Sequence, residues 1–429
     1  MERKQKVIQW LEDHKEEALA LLQKLVRIPS FSGNEYDIQM AVKEYAEHHG
    51  FSVVARSFDE AQKRPCLLIT YPGTGGGKRL MLDAHSDTVP VQPGEKWDHD
   101  PFSGDFDGEW IHGRGACDNK WGITAILMTL RALKACGVAL SGDVMMLCSV
   151  GEEPSVNSRR NFGAGAMIRT IEKKPDFCIV CEGSFKRVGA ETPRNLKFNL
   201  HIQGKGCHPC NRRQCVFPQN QGIPSGSAMG VDALQKAMVV IDALYRLERD
   251  LSADFDRGGL VGTGGAPDAS RNTIGAVTIT PISIRGGGVN SLIPAIDLEY
   301  SVHYSARFTR EEMLALLNDT IRGAAMSDLW LREHLPEMEI TAANDGFYTD
   351  IQDPCVDLVR RAHAQVYGTP TEASGWPAGC DADVLCDYVP CVVYGPNGKR
   401  AHTINECGNL RDIVDTCKVY AVAAMDFCE

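Results

Sequence analysis

No stretch of the sequence approaches the ~18 consecutive apolar residues of a membrane-spanning helix, and no block of basic residues stands out. The first absence leaves no membrane partner to expect. The second, with 45 Lys and Arg against 56 Asp and Glu and a net charge of −11, gives a polyanion little to hold, so nucleic acid is not an expected partner either. The opening MERKQKVIQWLEDHKEE carries charges of both signs and lacks the apolar core and small-residue cleavage site of a secretory signal, so a cytoplasmic location is expected. The 16 cysteines lack the spacing of a disulfide framework and read as reduced, mostly buried thiols.

What remains is a 429-residue chain, 43% hydrophobic and 24% charged, with material for two or three globular domains. Ile8, Leu11, Ala18, Leu22 and Leu25 form one helical stripe over 3–27, and a second helical stretch covers 35–49. Short β-type runs follow (SVVARS, CLLITY, RLMLDA), then a helix over 120–135 and the strands DVMMLCSV and DFCIVC. This alternation predicts an α/β sheet covered on both faces. The pattern changes near Pro193. In LKFNLHIQ, Leu196, Phe198, Leu200 and Ile202 alternate with polar residues, marking a strand with one wet face. A helix at 229–249, the strands AVTIT and LEYSVHY, a helix at 309–325 and the strand EMEITA complete the order βαββαβ, a compact α+β unit. From about Asp345 the α/β pattern resumes, ending in CVVYGP and a helix over 410–427. The prediction is a discontinuous main domain, 1–193 plus 345–429, with an insert at 194–344 in which the glycine-rich stretches 257–265 and 285–288 are loops.

Candidate chemistry gathers at the ends of these strands. RLMLDA runs into HSDTVP, so His85 and Asp87 share one face, and a carboxylate at that spacing can fix an imidazole's tautomer while the other ring nitrogen binds a metal. Asp118 lies in the glycine-rich loop GRGACDNKWG. Glu152 and Glu153 follow DVMMLCSV, Glu182 follows DFCIVC, and His402 lies a short loop beyond CVVYG. Ligands of α/β sheets collect outside the carboxyl ends of the strands, so these groups can converge. Imidazoles and carboxylates without cysteine suit a pair of zinc ions, and three carboxylates with a hydroxide would balance two divalent cations. Glu152 and Glu153 point to opposite sides of an extended chain, so one should bind metal and the other act as a base.

HSDTVP, GRGACDNK, GEEPS, the glutamate of CEGS and the histidine of GPNGKRAHTINE, in that order, resemble the five motifs of the metallopeptidase family that includes aminoacylase, acetylornithine deacetylase, succinyl-diaminopimelate desuccinylase and glutamate carboxypeptidase. The resemblance extends to IPSFSGNE near the start. It implies a zinc-exopeptidase-like α/β catalytic domain, a mixed sheet flanked by helices, with an inserted ferredoxin-like lid and dimerisation domain, hence a homodimer. It further implies that His85 and Glu182 hold one zinc, that Glu153 and His402 hold the other, and that Asp118 bridges them. Asp87 would orient His85 and Glu152 would be the general base. His208, in GKGCHP, would assist at the substrate carbonyl, and Asn290 of GGGVNSLIP matches a lid residue at the substrate site. Cobalt or manganese would be possible substitutes for zinc.

The sequence also departs from that pattern. Where the lid strand of the family carries D-x-R, whose arginine grips a substrate carboxylate, LEYSVHY has Ser301 and His303; His303 is the candidate substrate contact there. The lid's G-V-N-A appears as Gly230, Val231, Asp232 and Ala233, and 211–228 is longer than the family norm. Glu182, where the family's aminopeptidases and dipeptidases carry aspartate, points to an N-acyl amino acid or a C-terminal peptide bond. A dipeptidase or aminopeptidase, and a non-catalytic ligand-binding dimer, are the alternatives. Three further patterns have plainer readings. Cys207, His208, Cys210 and Cys215 offer a small structural zinc site as an alternative role for His208. Cys178 and Cys181 are core thiols of a strand, and GTGGGKR is no phosphate loop because neither Ser/Thr nor a helix follows its lysine.

Overall fold

The computed structural model describes residues 2–59, 63–217, 225–252, 277–305, 308–376 and 378–429. The glycine-rich stretch 257–265 lies outside them. The opening apolar stripe folds as two helices, Glu2–Asp13 and Lys15–Val26. The break falls at His14, whose ring takes the Trp10 carbonyl on Nδ1 at 2.7 Å and stacks on the Trp10 indole at 3.8 Å. The helices Lys120–Ala135 and Leu410–Phe427 fall where the periodicity places them.

The described residues divide into two units, the first built from 1–192 and 347–429, the second lying within 193–346. In the first, eight strands form a mixed sheet in the order Ser52–Ser57, Pro65–Tyr71, Val144–Ser149, Leu80–His85, Phe177–Val180, Cys391–Val393, Val188–Glu191, Ala373–Gly375. Four central strands, Val144–Ser149 to Cys391–Val393, run parallel, and every residue in them is buried. That explains why they read as continuous apolar runs rather than alternations. Lys120–Ala135 and Leu410–Phe427, buried nearly all round, pack against each other. Ala164, Met167, Ile168, Val384 and Leu385 form a separate core with Met81, Met145 and Val180. A small four-stranded sheet, ordered Gly398–Lys399, Cys407–Asn409, Trp110–His112, Asp105–Phe106, carries the loops on which Asp118 and His402 ride.

The second unit is a four-stranded antiparallel sheet in the order Thr278–Gly286, Ala295–Tyr304, Arg194–Gln203, Glu337–Asn344. The helices Ala233–Ser252 and Arg310–Met326 contribute Ala237, Val240, Leu244, Met313, Leu317 and Ile321 to its core. Thr309 starts the second of these with a capping box closed by Glu312. The alternating Leu196, Phe198, Leu200 and Ile202 are all buried, and Phe198 stacks on Tyr300 at 5.0 Å. None of the 16 cysteines is in a disulfide. No described helix is long and apolar enough to cross a membrane.

Phe198→Ala removes the ring at the centre of the second unit's core and is expected to lower unfolding stability by about 3–5 kcal/mol, as for other buried aromatic truncations. Urea melts followed by intrinsic fluorescence measure it.

Candidate metal centre

Leu80–His85 delivers His85 at its last residue, fully enclosed. Its Nε2 lies 3.0 Å from Asp118 Oδ1 and 3.4 Å from Glu182 Oε1. On the other side of the same aspartate, His402 Nε2 lies 3.1 Å from Asp118 Oδ2 and 3.0 Å from Glu153 Oε2. Two groups result, His85 with Asp118 and Glu182, and Asp118 with Glu153 and His402, each with its ligand atoms within 4.8 Å of one another. Asp118 belongs to both and turns one oxygen to each. All five residues nominated from the strand ends therefore meet.

The adjacent glutamates part company. Glu153 faces His402, whereas Glu152 Oε1 pairs with Arg159 Nη2 at 2.9 Å. Asp87 contributes to His85 chiefly through its main chain, its carbonyl lying 2.9 Å from Nδ1 and its carboxylate 3.6 Å away. The carboxylate instead accepts the N–H groups of Glu152 at 3.0 Å and Glu153 at 3.2 Å and the Ser32 hydroxyl at 2.6 Å. Asp87 thus ties the early IPSFSGNE segment to the backbone of both glutamates.

Other residues fix the ligands and were not nominated from sequence. Asn119 donates Nδ2 to Glu182 Oε1 at 3.0 Å and to the Cys181 carbonyl. Gly122, one turn on, has no room for a side chain: a Cβ would lie 2.4 Å from Asn119 Oδ1. Glu406 Oε1 accepts the N–H groups of Gly115 and Cys117, each at 2.9 Å, and of Asp118 at 3.0 Å, while Oε2 pairs with Arg114 at 2.5 Å. Arg114 was visible within GRGACDNK, and Glu406 stands four residues beyond His402, but only the fold makes them partners. His402 itself holds a left-handed backbone, φ +62°, unusual for a residue with a Cβ.

The electrostatics call for a cation. Burial, then the neighbouring Asp118 charge, pushes Glu182 up to about 7. Burial opposes ionisation of Asp118, yet hydrogen bonds from His402 and His85 hold it below the usual carboxylate range. The same contacts, with Asp118 first and Glu153 next, raise His402 to about 10. Burial raises Glu152 well above its ordinary value against the opposing pull of Arg159. Glu153 Oε1 is buried with no hydrogen-bond donor in reach among the described residues. Three carboxylates facing two imidazoles, with an unpartnered oxygen among them, fit divalent cations in place of protons.

His208, Asn290 and His303 belong to the second unit. His208 and Asn290 lie at one end of its sheet, where the Leu292 N–H donates to the Cys207 carbonyl at 2.8 Å. His303 lies near the other end, paired in register with Asn195, whose Nδ2 is 2.8 Å from His303 Nε2. Along the strand that is on the order of 25 Å, so one chain's His208 and His303 cannot grip the same small ligand. Around His208, Cys207 Sγ lies 3.4 Å from Cys215 Sγ, and Cys210 Sγ lies 3.0 Å from His208 Nδ1. Among the described residues, the groups with the geometry to hold an ion are the two that share Asp118. Cys178 and Cys181 are fully buried, and GTGGGKR leads into a strand.

An α/β sheet whose strand ends assemble two imidazole–carboxylate groups around a shared aspartate has the makings of a metal-dependent hydrolase. Residues 81–426 match peptidase family M20/M25/M40, and the chain belongs to that family. It is accordingly a metal-dependent amidohydrolase, with the catalytic and lid domains of that fold. It is 25% identical to an N-formyl-4-amino-5-aminomethyl-2-methylpyrimidine deformylase of Halalkalibacterium halodurans, over 97% of this chain and 96% of the relative. It is 26% identical to a succinyl-diaminopimelate desuccinylase of Rhizorhabdus wittichii, over 94% and 96%. The fold superposes on the crystal structure of aminopeptidase PepT from Bacillus cereus with a TM-score of 0.72 at 17% identity, covering 97% of this chain and 99% of that one.

Arg114→Met leaves the fully buried Glu406 without its countercharge and is expected to cost about 3–5 kcal/mol of stability, the usual consequence of breaking a buried pair from one side. Chemical denaturation compares it with an exposed control such as Arg361→Met, expected within about 0.5 kcal/mol of the parent.

Proposed function

We propose that the chain hydrolyses the amide of an N-acyl amino acid, or the C-terminal peptide bond of a short peptide, at a centre of two divalent cations with Glu152 as general base. The observation that carries this reading is the splitting of Asp118 between two three-residue groups, beside a carboxylate, that of Glu152, which belongs to neither. His85, Glu182 and one oxygen of Asp118 would hold one ion; Glu153, His402 and the other oxygen would hold the second. When bound, such ions, zinc by donor chemistry or cobalt or manganese in its place, polarise an amide carbonyl and lower the pKa of a shared water from 15.7 toward about 7.

The chain's own residues do the rest. Glu152 takes a proton from the attacking water and passes it to the departing amine, so it must hold a proton part-way through the cycle, and its burial favours that state. Asp87 and Asn119 keep the glutamate backbone and Glu182 in place. His208, acting from the second copy of a homodimer joined through the insert, would steady the oxyanion. Glu182 and the deformylase and desuccinylase relatives favour removal of an acyl group over cleavage beside a free amino terminus. His303 offers a substrate no fixed charge, because partial desolvation and then Lys197 lower its proton affinity.

Elemental analysis of the metal-loaded protein is expected to find two ions per chain, most of them lost in Asp118→Ala. Glu152→Gln should keep both ions while losing about 10²–10⁴ in kcat, the range of general acid–base catalysis. Glu153→Gln should lose one ion. Like behaviour of the two glutamate variants would remove the division of labour between them.

A panel of N-acyl amino acids and dipeptides, read by release of amine, decides the substrate class. Turnover of N-acyl amino acids is expected. A strict demand for a free amino terminus would replace this reading with the dipeptidase or aminopeptidase one, and metal-loaded protein that turns over no amide would leave a ligand-binding dimer.

A further inference from the structure

Glu152 is gripped by an arginine that no ligand motif contains. Arg159, on the short helix Val156–Asn161, sends Nη2 to Glu152 Oε1 at 2.9 Å and donates Nε to the main-chain carbonyl of the same residue at 2.8 Å. One planar guanidinium thus holds both the carboxylate and the backbone of Glu152, and the two residues are only 7% and 5% exposed. The remaining arm, Nη1, reaches Asp383 Oδ2 at 3.2 Å and the Cys380 carbonyl at 3.4 Å.

Asp383 is fixed in turn. Its Oδ2 accepts the Cys380 N–H at 3.3 Å, and its Oδ1 accepts the Thr192 hydroxyl at 2.5 Å. That hydroxyl also accepts the Phe347 N–H at 2.9 Å, and the Thr192 N–H donates to the Phe347 carbonyl at 3.0 Å. Thr192 and Phe347 are the residues at which the chain leaves the first unit and re-enters it. The line Glu152, Arg159, Asp383, Thr192 is therefore continuous in hydrogen bonds and lies wholly within the first unit.

We propose that Arg159 is the positioning residue of the general base: it fixes the Glu152 carboxylate through Oε1, and Asp383, anchored by Thr192, fixes the guanidinium. The inference rests on the reading of Glu152 as the base. A glutamate with three rotatable bonds reaches a reacting water reproducibly only if its rotamer is locked. The lock here needs the fork of arginine rather than its charge. A lysine ammonium, a single point donor group, cannot reach Oε1, the Glu152 carbonyl and Asp383 in the same fixed geometry.

The test uses the full-length, metal-loaded enzyme. Arg159→Lys and Arg159→Met are expected to retain the parent's metal content by elemental analysis and its KM, while kcat falls about 10–100-fold, the usual effect of losing a residue that orients an active-site group. Methylguanidinium added to Arg159→Ala should restore part of kcat. In the Glu152→Gln background, Arg159→Met should cost nothing further, since a residue acting through the base has nothing left to position. Parent-like kcat in Arg159→Lys would overturn the proposal, and so would a full additional loss in the Glu152→Gln background. If the Arg159 variants do not fold, Asp383→Asn and Thr192→Val probe the same line from its far end. Each should lower kcat several-fold in the parent and not at all beside Glu152→Gln, and parent-like kcat in both overturns the proposal. Full activity of Glu152→Gln with Arg159 intact would instead overturn the base assignment on which the proposal stands.

Discussion

Asp118 must present its two oxygens to opposite sides, and much of the surrounding structure keeps it from turning. Its loop leaves the strand Trp110–His112 and enters the helix Lys120–Ala135, and a carboxylate on a loose loop would serve one group or the other. Glu406 removes that freedom by taking the N–H groups of Gly115, Cys117 and Asp118 on one oxygen. Because Glu406 precedes the strand Cys407–Asn409, which pairs with Trp110–His112, the loops of Asp118 and His402 are anchored to one small sheet. Glu153, Glu182 and His85 come from the large sheet. Ions held at both groups would therefore staple the small sheet to the large one, making the metal centre a structural joint as well as a reactive site.

The second constraint is charge. Asp83, Asp87, Glu152, Glu182, Asp381, Asp383 and Glu406 are all buried near the centre, and each buried unpaired carboxylate costs several kcal/mol of desolvation. The fold answers in three ways. Arg114 neutralises Glu406, and Arg159 serves Glu152 and Asp383 together. Burial and then the adjacent Asp381 push the Asp83 carboxyl well above its ordinary value, which favours its protonated form. Asp118, Glu153 and Glu182, the three carboxylates of the two ligand groups, have no lysine or arginine partner among the described residues. Their compensation falls to two imidazoles and, for Glu182, to the Asn119 amide as well.

Much of this was legible in the sequence, because each ligand follows a strongly apolar strand or a glycine-rich turn. His85 ends the run LMLDAH, and Glu153 and Glu182 stand just beyond VMMLCS and FCIV, continuous apolar runs that are buried throughout. The βαββαβ order of the insert was equally plain, since its one-sided sheet forces strict alternation in LKFNLHIQ. What escaped was whatever depends on pairing across long separations. Arg114 with Glu406, Arg159 with Asp383 and Asn119 with Glu182 join residues up to 292 positions apart, and no local pattern marks them. Asp87 shows the limit most clearly. Its spacing from His85 suggested a carboxylate–imidazole contact, and the carboxylate does lie 3.6 Å from Nδ1, but the ring's nearer partner is the Asp87 backbone carbonyl at 2.9 Å, while the carboxylate also takes the glutamate main chain. Spacing fixes which residues are neighbours, not which of their atoms meet. The break at His14 is of the same kind, a side chain competing for a helix carbonyl within an otherwise unbroken stripe.

The second unit carries the same lesson into specificity. Register places His303 opposite Asn195, and their side chains hydrogen-bond across the strands, so the histidine is already committed within its own sheet. A ring so engaged, and held below its ordinary proton affinity, cannot stand in for an arginine that would bring a permanent charge and a two-pronged grip to a carboxylate. Arg194, near that end of the sheet, is bound to Asp345 rather than held out for a ligand. On the reading proposed above, recognition of a substrate's far end would rest less on a fixed cation at His303 than on shape and neutral hydrogen bonds, which discriminate strongly against a partner that leaves a buried polar group unpaired but weakly among acyl groups of similar size. On that same reading, selectivity would be sharper for the amide and the atoms flanking it, where the charged groups are concentrated, than for a distant carboxylate.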